Sequence, residues 1–275
     1  MTDGRALRLE GIEERYERYK EKIKNYTIMD DIFMRNVLKE QGCTEYMLQV
    51  IMNQKNLQVV EQTLQKDYKN LQGRSAILDC VARDERARQF NVEIQGDNEG
   101  ASPERARYHS CLLDMNILSP REPFTGLPET YIIFITRNDV LGYDRIICHI
   151  TRKVEEEGKD FGDGSHIIYV NSKKREDTEL GKLMHDLHCK ESGEMHSKIL
   201  ASRVRELKET EKGVSEMCRD MEEIYGEGME EGERKKARET VLSLAELRMP
   251  EEQISQIVKM PLEVVQGWIE ESLAI

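Results

Sequence analysis

Apolar side chains recur at helical spacing toward both ends of the chain and at strand spacing in its middle. Residues 28–52 show the helical pattern, and Gly42 within them predicts a break into two helices. Residues 102–118 predict a further helix, with Ser102 as its N-cap and Pro103 in its first position. Helices therefore lie on both sides of, and between, the segments that predict strands.

Short segments rich in β-branched and aromatic residues predict a sheet in the middle of the chain. The predicted strands are residues 57–64, 75–84, 88–96, 130–137, 146–153 and 166–172. The strand at 130–137 is apolar on both faces, so we expect it to lie buried at the centre of the sheet. Strands that alternate with helices in this way place the chain in the α/β class, with a mixed sheet.

The strands 75–84 and 88–96 carry polar residues on an otherwise apolar hairpin. Glu93 and Gln95 share one face of their strand because side chains alternate. If Asp79 pairs with Glu93, the opposite face becomes wholly apolar, whereas a slip of one residue mixes the two faces. That register needs an odd-length turn such as residues 85–87, or a bulge. It pairs Leu78 with Ile94, Cys80 with Val92 and Ala82 with Phe90.

This register would bring two carboxylates and one amide together on one face. Two acidic oxygens on adjacent strands, with positions left open for water, suit a hard octahedral cation such as Mg²⁺. The other reading is an ordinary solvated sheet face, because motifs as short as this often occur by chance.

Composition restricts the classes of function without selecting one. The formal net charge of −12 argues against a protein that coats nucleic acid, but a metal-dependent enzyme is compatible with it because bound cations supply positive charge. The six cysteines are scattered and form no CxxC pair, which is typical of reduced thiols. No apolar run approaches the length of a membrane span, and no secretory signal is evident. We therefore expect a cytoplasmic protein without a membrane partner.

Several segments resemble, in order, the elements of one nuclease family. Asp79 followed by Glu93-x-Gln95 resembles the PD-(D/E)XK nuclease signature in its E-x-Q variant. The flanking segments are similar to those of the Rpn family of recombination-promoting nucleases and transposases, over about residues 27–210. They are TIMDDIFMRNVL (27–38), NVEIQ, ERARYHSCLLD (104–114) and DLHCKESGEMHSKILASRVRELKE (186–209).

The resemblance implies a PD-(D/E)XK core and a magnesium-dependent DNA endonuclease that hydrolyses phosphodiester bonds, linked to recombination or mobile elements. It makes Asp79 and Glu93 the Mg²⁺ ligands, with the backbone carbonyl of Ile94 as a third ligand and Asp31 as a candidate outer ligand. Gln95 occupies the catalytic position where many relatives have Lys. An amide can position a water molecule or a phosphate, but it cannot act as a charged clamp.

The same resemblance assigns Arg105, Arg107 and Tyr108 to the phosphate backbone of DNA. The turn sequence DERARQ departs from relatives that carry Gly there, which leaves the turn geometry open. A rival function also stays open, in which a catalytically degenerate nuclease fold serves as a protein-interaction module. The acidic surface and Gln95 favour this rival, whereas the presence of Asp79 and Glu93 argues against it.

A second group of metal-binding residue types lies further along the chain. His185 and His188 are spaced for one helical face, but Cys189 and His196 follow at offsets that real zinc sites seldom show. This spacing favours a structural role over zinc binding.

The predicted organisation has four parts. They are a charged N-terminal helix or arm (1–26), the nuclease-like domain (27–210), a charged helical linker (211–238) and a small helical segment (239–275). The linker prediction depends on residues 225–238, which are charged and interrupted by Gly.

The last of these parts predicts three short helices, broken at Pro250 and Pro261, with a helix-turn-helix rhythm. Its final helix has no Arg or Lys to contact phosphates. This favours packing or homo-oligomer formation over the reading of DNA.

Overall fold

The structure is a computed structural model that describes residues 11–68, 76–96 and 98–273. The first ten residues of the charged helix or arm expected at 1–26 lie outside this description. The helices α1 to α9 are Ile12–Asn25, Asp31–Leu38, Gln41–Ile51, Pro103–Met115, Glu179–His188, Lys198–Glu209, Glu211–Glu246, Glu251–Val258 and Leu262–Leu273. The strands β1 to β8 are Val59–Tyr68, Ala76–Asp84, Gln89–Gln95, Thr130–Thr136, Ile147–Ile150, Lys153–Val154, Lys159–Asp160 and Ser165–Asn171.

Six of these strands form one mixed sheet in the order β1-β2-β3-β4-β8-β5. The pairs β3–β4 and β4–β8 are parallel, and the other neighbours are antiparallel. Residues 132–135 of β4 are completely buried, so the predicted central strand is confirmed. The two faces of the sheet are covered by different helices, since Thr44 of α3 contacts Cys80 while His109 of α4 contacts Glu93. The α/β class with a mixed sheet flanked by helices is therefore confirmed.

The turn between β2 and β3 sets the register of the hairpin. Cys80 pairs with Val92 and Ala82 with Phe90, as predicted. The paired positions end at Cys80, so the expected pair of Leu78 with Ile94 is not formed, and Leu78 packs in an apolar cluster with Val81 and Phe134 instead. The Asp84 backbone N–H donates to the Arg88 carbonyl at 3.1 Å, so residues 85–87 form a three-residue loop.

The loop closes without glycine because a side chain holds it. The Asp84 carboxylate accepts the backbone N–H groups of Arg86 and Arg88 at 3.0 and 2.9 Å, and the Arg88 guanidinium at 2.7 Å. Ala87 takes the left-handed conformation, with φ 62°, that favours glycine in such turns. The side-chain bonds of Asp84 offset the cost of placing alanine there.

Three predicted features differ in the structure. The break between the first two core helices falls at Lys39 and Glu40, and Gly42 lies in the first turn of α3, where a helix tolerates it. The charged helix or arm expected at 1–26 is not an exposed arm throughout, because Tyr19 and Ile23 of α1 are buried. The strand expected at 146–153 ends at Ile150, and the loop that follows contains the short β6–β7 hairpin.

Residues 225–238, part of the expected helical linker, lie inside the continuous helix α7. The chain divides into two compact units, residues 1–218 and 219–275, and the division falls within α7. The domain boundaries expected at residues 26, 210 and 238 stay predictions.

The second unit has its own small apolar core. Val241, Ile254, Val265 and Trp268 are buried together. Pro250 precedes α8 and Pro261 separates α8 from α9, as the sequence predicted, although the first helix of the three is the end of α7. Within the described ranges, no helix has the length and apolar content needed to cross a membrane.

Candidate active site

The two acidic residues of the hairpin meet where β2 and β3 begin to separate. The paired positions of these strands extend to Cys80 and Val92, and the next opposed residues are Asp79 and Glu93. The Asp79 backbone N–H donates to the Glu93 side chain, at Oε1, over 3.2 Å. The Glu93 carboxyl group therefore reaches the Asp79 backbone across the hairpin, and it lies near enough for the Asp79 charge to act on it.

Every oxygen of the Glu93 carboxyl group has a polar neighbour, although the residue is completely buried. Oε1 accepts from Asn91 Nδ2 at 3.0 Å, and His109 Nδ1 lies 3.6 Å away. Oε2 accepts from Gln95 Nε2 at 3.4 Å and lies 3.7 Å from Arg105 Nη2. These contacts fix the orientation of the carboxyl group before any ligand binds.

His109 connects helix α4 to this group. Arg105 Nε donates to His109 Nε2 at 3.3 Å, and His109 Nδ1 faces Glu93 Oε1 at 3.6 Å. Burial and the neighbouring Arg105 charge lower the pKa of His109 to about 4, so the ring is neutral near pH 7. With Nε2 as an acceptor, the proton lies on Nδ1 and faces Glu93.

Burial and a neighbouring carboxylate raise the pKa of both carboxyl groups. The pKa of Glu93 rises to about 8, because the group is buried and the Asp79 charge lies beside it. The pKa of Asp79 rises to about 6, through burial and then the charge of Asp31. Such a pair is costly to ionise unless a cation sits between the charges. Carboxylate oxygens are also the donors that Mg²⁺ prefers, so these residues fit a hard divalent cation.

Gln95 extends the same face beyond Glu93. Its amide nitrogen donates to Glu93, while its Oε1 lies against Gly100 in the 3₁₀ turn Asn98–Ala101. A Cβ at position 100 would overlap Gln95 Oε1, so glycine is required there for the side chain to keep this position. The residue is placed by contacts on both sides, as expected of a group that positions a ligand.

The structure brings one of the three predicted DNA-binding residues to the carboxyl pair. Arg105 contacts Glu93, whereas Arg107 is exposed. Two residues along a helix are about 200° apart, so the two arginines point in different directions. Tyr108 is half-buried on α4.

The remaining predicted ligands lie close by. Asp31, the first residue of α2, pairs with Arg35 at 2.6 Å and is near enough for its charge to act on Asp79. Ile94 lies between the two polar residues of its strand, and its side chain is buried.

Three residues of the site were not predicted. Gln65 of β1 lies across from Asp79 and donates to its Oδ1 at 3.2 Å. Asn91 is buried two positions before Glu93, so the alternation that identified Gln95 also pointed to it. His109 follows Arg105 by one helical turn, but no local pattern connects it to the sheet.

Comparisons with known proteins agree with this fold. A family model described as PD-(D/E)XK nuclease family transposase matches residues 45–238. No curated protein and no solved structure matches the chain. The match covers more than two thirds of the 275 residues and includes Asp79, Glu93 and Gln95. On that match, the chain belongs to the PD-(D/E)XK nuclease family transposases.

Proposed function

We propose that this chain is a magnesium-dependent DNA endonuclease of the Rpn family that hydrolyses phosphodiester bonds during recombination or the movement of mobile elements. The observation that carries the proposal is the hairpin of β2 and β3, where Asp79 and Glu93 follow the last paired residues and the Asp79 backbone N–H donates to the Glu93 carboxyl group. Membership of a nuclease family linked to mobile elements supports DNA as the substrate.

Asp79 and Glu93 would hold the metal ion, with the Ile94 carbonyl as a third protein ligand and Asp31 as an outer one. When bound, Mg²⁺ supplies an activated water molecule and neutralises charge on the phosphate oxygens. Gln65 holds the Asp79 carboxylate in place, and Asn91 does the same for Glu93. The protein therefore contributes oriented carboxylates that lose their repulsion when a cation is bound.

Arg105 would supply the fixed positive charge that Gln95 cannot. Its guanidinium lies 3.7 Å from Glu93 and is 41% exposed, so it can reach a phosphate as well as the carboxylate. Guanidinium groups bind phosphate oxygens in a bidentate manner. Gln95 would position a water molecule or phosphate oxygen through its amide. Arg107 and Tyr108 would contact the DNA backbone at positions further along α4.

We further propose that residues 27–210 form the nuclease domain, after an N-terminal helical arm (1–26). The helical residues 211–238 would connect it to residues 239–275, which would serve assembly into a homo-oligomer or targeting. The sequence of α9, LEVVQGWIEESL, contains no Lys or Arg. A helix without basic residues suits contact with protein better than contact with phosphates.

A plasmid-nicking assay tests the proposed activity. We expect wild-type protein to convert supercoiled plasmid to the nicked form with Mg²⁺ and to stop when a chelator is added. Asp79→Asn and Glu93→Gln should be inactive. Glu61→Gln, which removes an exposed carboxylate of β1 that pairs with Arg83, is the matched control and should stay active.

Two outcomes would contradict the proposal. Equal nicking by wild type and Glu93→Gln would mean that the activity comes from elsewhere. A folded wild type that neither binds Mg²⁺ nor cleaves DNA would instead favour the rival function, a degenerate nuclease fold that binds another protein.

A further inference from the structure

We propose that His185, Asp186 and His196 form a zinc-binding site that shares no residue with the nuclease carboxylates. His185 and Asp186 lie in the last turn of α5, and His196 lies directly before Ser197, the N-cap of α6. One potential ligand atom from each of the three residues lies within 4.8 Å of the others. The site would join the end of α5 to the start of α6.

The distances suit a tetrahedral zinc ion. Zinc bonds of 2.0–2.2 Å to nitrogen and oxygen imply about 3.3–3.5 Å between two such ligand atoms. His185 Nδ1 lies 3.4 Å from Asp186 Oδ1, which already matches this spacing. The His185 and His196 rings are 4.8 Å apart between centroids and tilted by 54°. Because His196 is exposed, a small rotation of its side chain can close the remaining gap.

Asp186 is held in place for such a role. It is completely buried, and its two oxygens accept the backbone N–H groups of His196 and Ser197 at 2.8 and 2.7 Å. Each carboxylate oxygen has a second lone pair that these bonds leave free. The bonds that Asp186 accepts from the backbone before α6 are enough to explain why this carboxylate is buried. They do not explain why two imidazoles lie beside it.

Cys189 is the candidate for the fourth ligand, although its sulfur lies outside the cluster of the other three ligand atoms and would have to turn toward it. Its Sγ lies 3.4 Å from His185 Nδ1, and the residue is buried. Burial raises the pKa of this thiol to about 11, so it is neutral without a metal. Binding would release the thiol proton to solvent as the zinc–sulfur bond forms. One carboxylate and one thiolate would then balance the two charges of the ion.

The chemistry of the ligands selects zinc over magnesium. Imidazole and thiolate are typical zinc ligands, whereas Mg²⁺ prefers an octahedron of oxygens. His188, the fourth residue that the sequence groups with these, is not part of the site. Its Nε2 lies 2.9 Å from Ser172 Oγ, so it bonds to the end of β8 instead.

Zinc titration of the full chain tests the proposal. The protein is stripped with a chelator, dialysed and titrated with Zn²⁺ in competition with a chromophoric chelator. We expect one tight site in the wild type, in Glu93→Gln, which weakens the nuclease site, and in His149→Ala, which removes an exposed histidine elsewhere. In His196→Ala the affinity should fall by roughly 100-fold or more, since even outer-shell changes cost about 10- to 100-fold.

Folding is monitored separately, so that loss of binding is interpretable. His196 is exposed, so its replacement should leave the circular dichroism spectrum unchanged. Zinc should raise the melting temperature of the wild type and of His149→Ala, but not that of His196→Ala. With Co²⁺, a sulfur-to-metal charge-transfer band should appear in the wild type and be absent in Cys189→Ser.

The proposal is wrong if the wild type binds no zinc, or if His196→Ala binds it as tightly as the wild type. An unchanged cobalt spectrum in Cys189→Ser would remove Cys189 from the ligand set.

Discussion

Replacing Glu93 by Gln should make the metal-free protein more stable above neutral pH while abolishing cleavage. The pKa of Glu93 is about 8 in the folded chain, against an ordinary value of 4.5. A carboxyl group that binds its proton more tightly when folded lowers stability as pH rises between these two values. The amide of glutamine has the shape of the protonated acid and does not titrate, so the variant should lack this loss.

Between pH 6.5 and 8, the shifted pKa of Glu93 dominates the pH dependence of folding stability. Below pH 6.5, His109 has the opposite effect. Its pKa is about 4 in the folded chain against an ordinary value of 6.5, so the stability of the fold rises with pH between these two values. The raised pKa of Asp79, about 6, also acts below this window. Between pH 6.5 and 8, the folded chain holds a proton on Glu93 that the unfolded chain lacks. Over these 1.5 pH units, the free energy of unfolding therefore falls by about 2 kcal/mol. For a chain of this size, that is a fall in melting temperature of roughly 4–8 °C.

Differential scanning calorimetry in chelator at pH 6.5, 7.2 and 8.0 measures this fall. Fluorescence would not serve, because the single tryptophan, Trp268, lies in the second unit. We expect the fall in the wild type and in Glu61→Gln, but not in Glu93→Gln. Saturating Mg²⁺ should reduce it in the wild type, because a bound cation favours the ionised carboxylate. Parallel pH dependence of wild type and Glu93→Gln in chelator would refute the assignment of a raised pKa to Glu93.

Three further predictions concern the surroundings of the site. Gly100→Ala should slow plasmid nicking at least tenfold with little change in melting temperature. The reason is that the new Cβ displaces only the flexible end of Gln95. Nicking by this variant at the wild-type rate would exclude a role for Gln95. Arg105→Gln should reduce single-turnover cleavage about 10- to 100-fold, whereas Arg107→Gln should mainly weaken DNA binding in a salt titration; equal effects would contradict the different directions of the two side chains. A chain ending at residue 238 should still nick plasmid but change its mass in light scattering, and a folded, inactive truncation would place the removed helices in the active site.

The hairpin of the site could be predicted from sequence because its evidence is local. Only one register of β2 and β3 buries Cys80, Ala82, Phe90 and Val92 on one face. That register alone brings the two acids together, whatever the rest of the chain does.

The contacts made by His109 could not be predicted in the same way. They depend on how α4 lies across β3 and β4, and the helical pattern of residues 102–118 specifies which face is apolar but not where along the sheet that face lies. The burial of Glu93, and with it the raised pKa, follows from this packing. The sequence therefore predicted that the two acids lie on one hairpin, but it did not predict their electrostatic state.

The continuity of helix α7 was harder to predict than its helical character. Gly226, Gly228 and Gly232, together with dense charge, predicted a helical linker. Glutamate, lysine and arginine are good helix formers, and each glycine costs only about 1 kcal/mol in a helix. The many favourable residues outweigh the three glycines, so the helix continues through them.

The three-residue turn held by Asp84 also bears on the order of events in folding. A hairpin closes over a short loop within about 1–10 μs, whereas parallel strands such as β3 and β4 must wait for a long crossover to close. We therefore expect Asp79 and Glu93 to meet early, in a hairpin that water still surrounds and where their repulsion is weak. The cost of their proximity arises only when α4 docks and excludes water. We expect the late docking step to slow as pH rises, and stopped-flow refolding of wild type and Glu93→Gln would show whether the carboxylate is responsible.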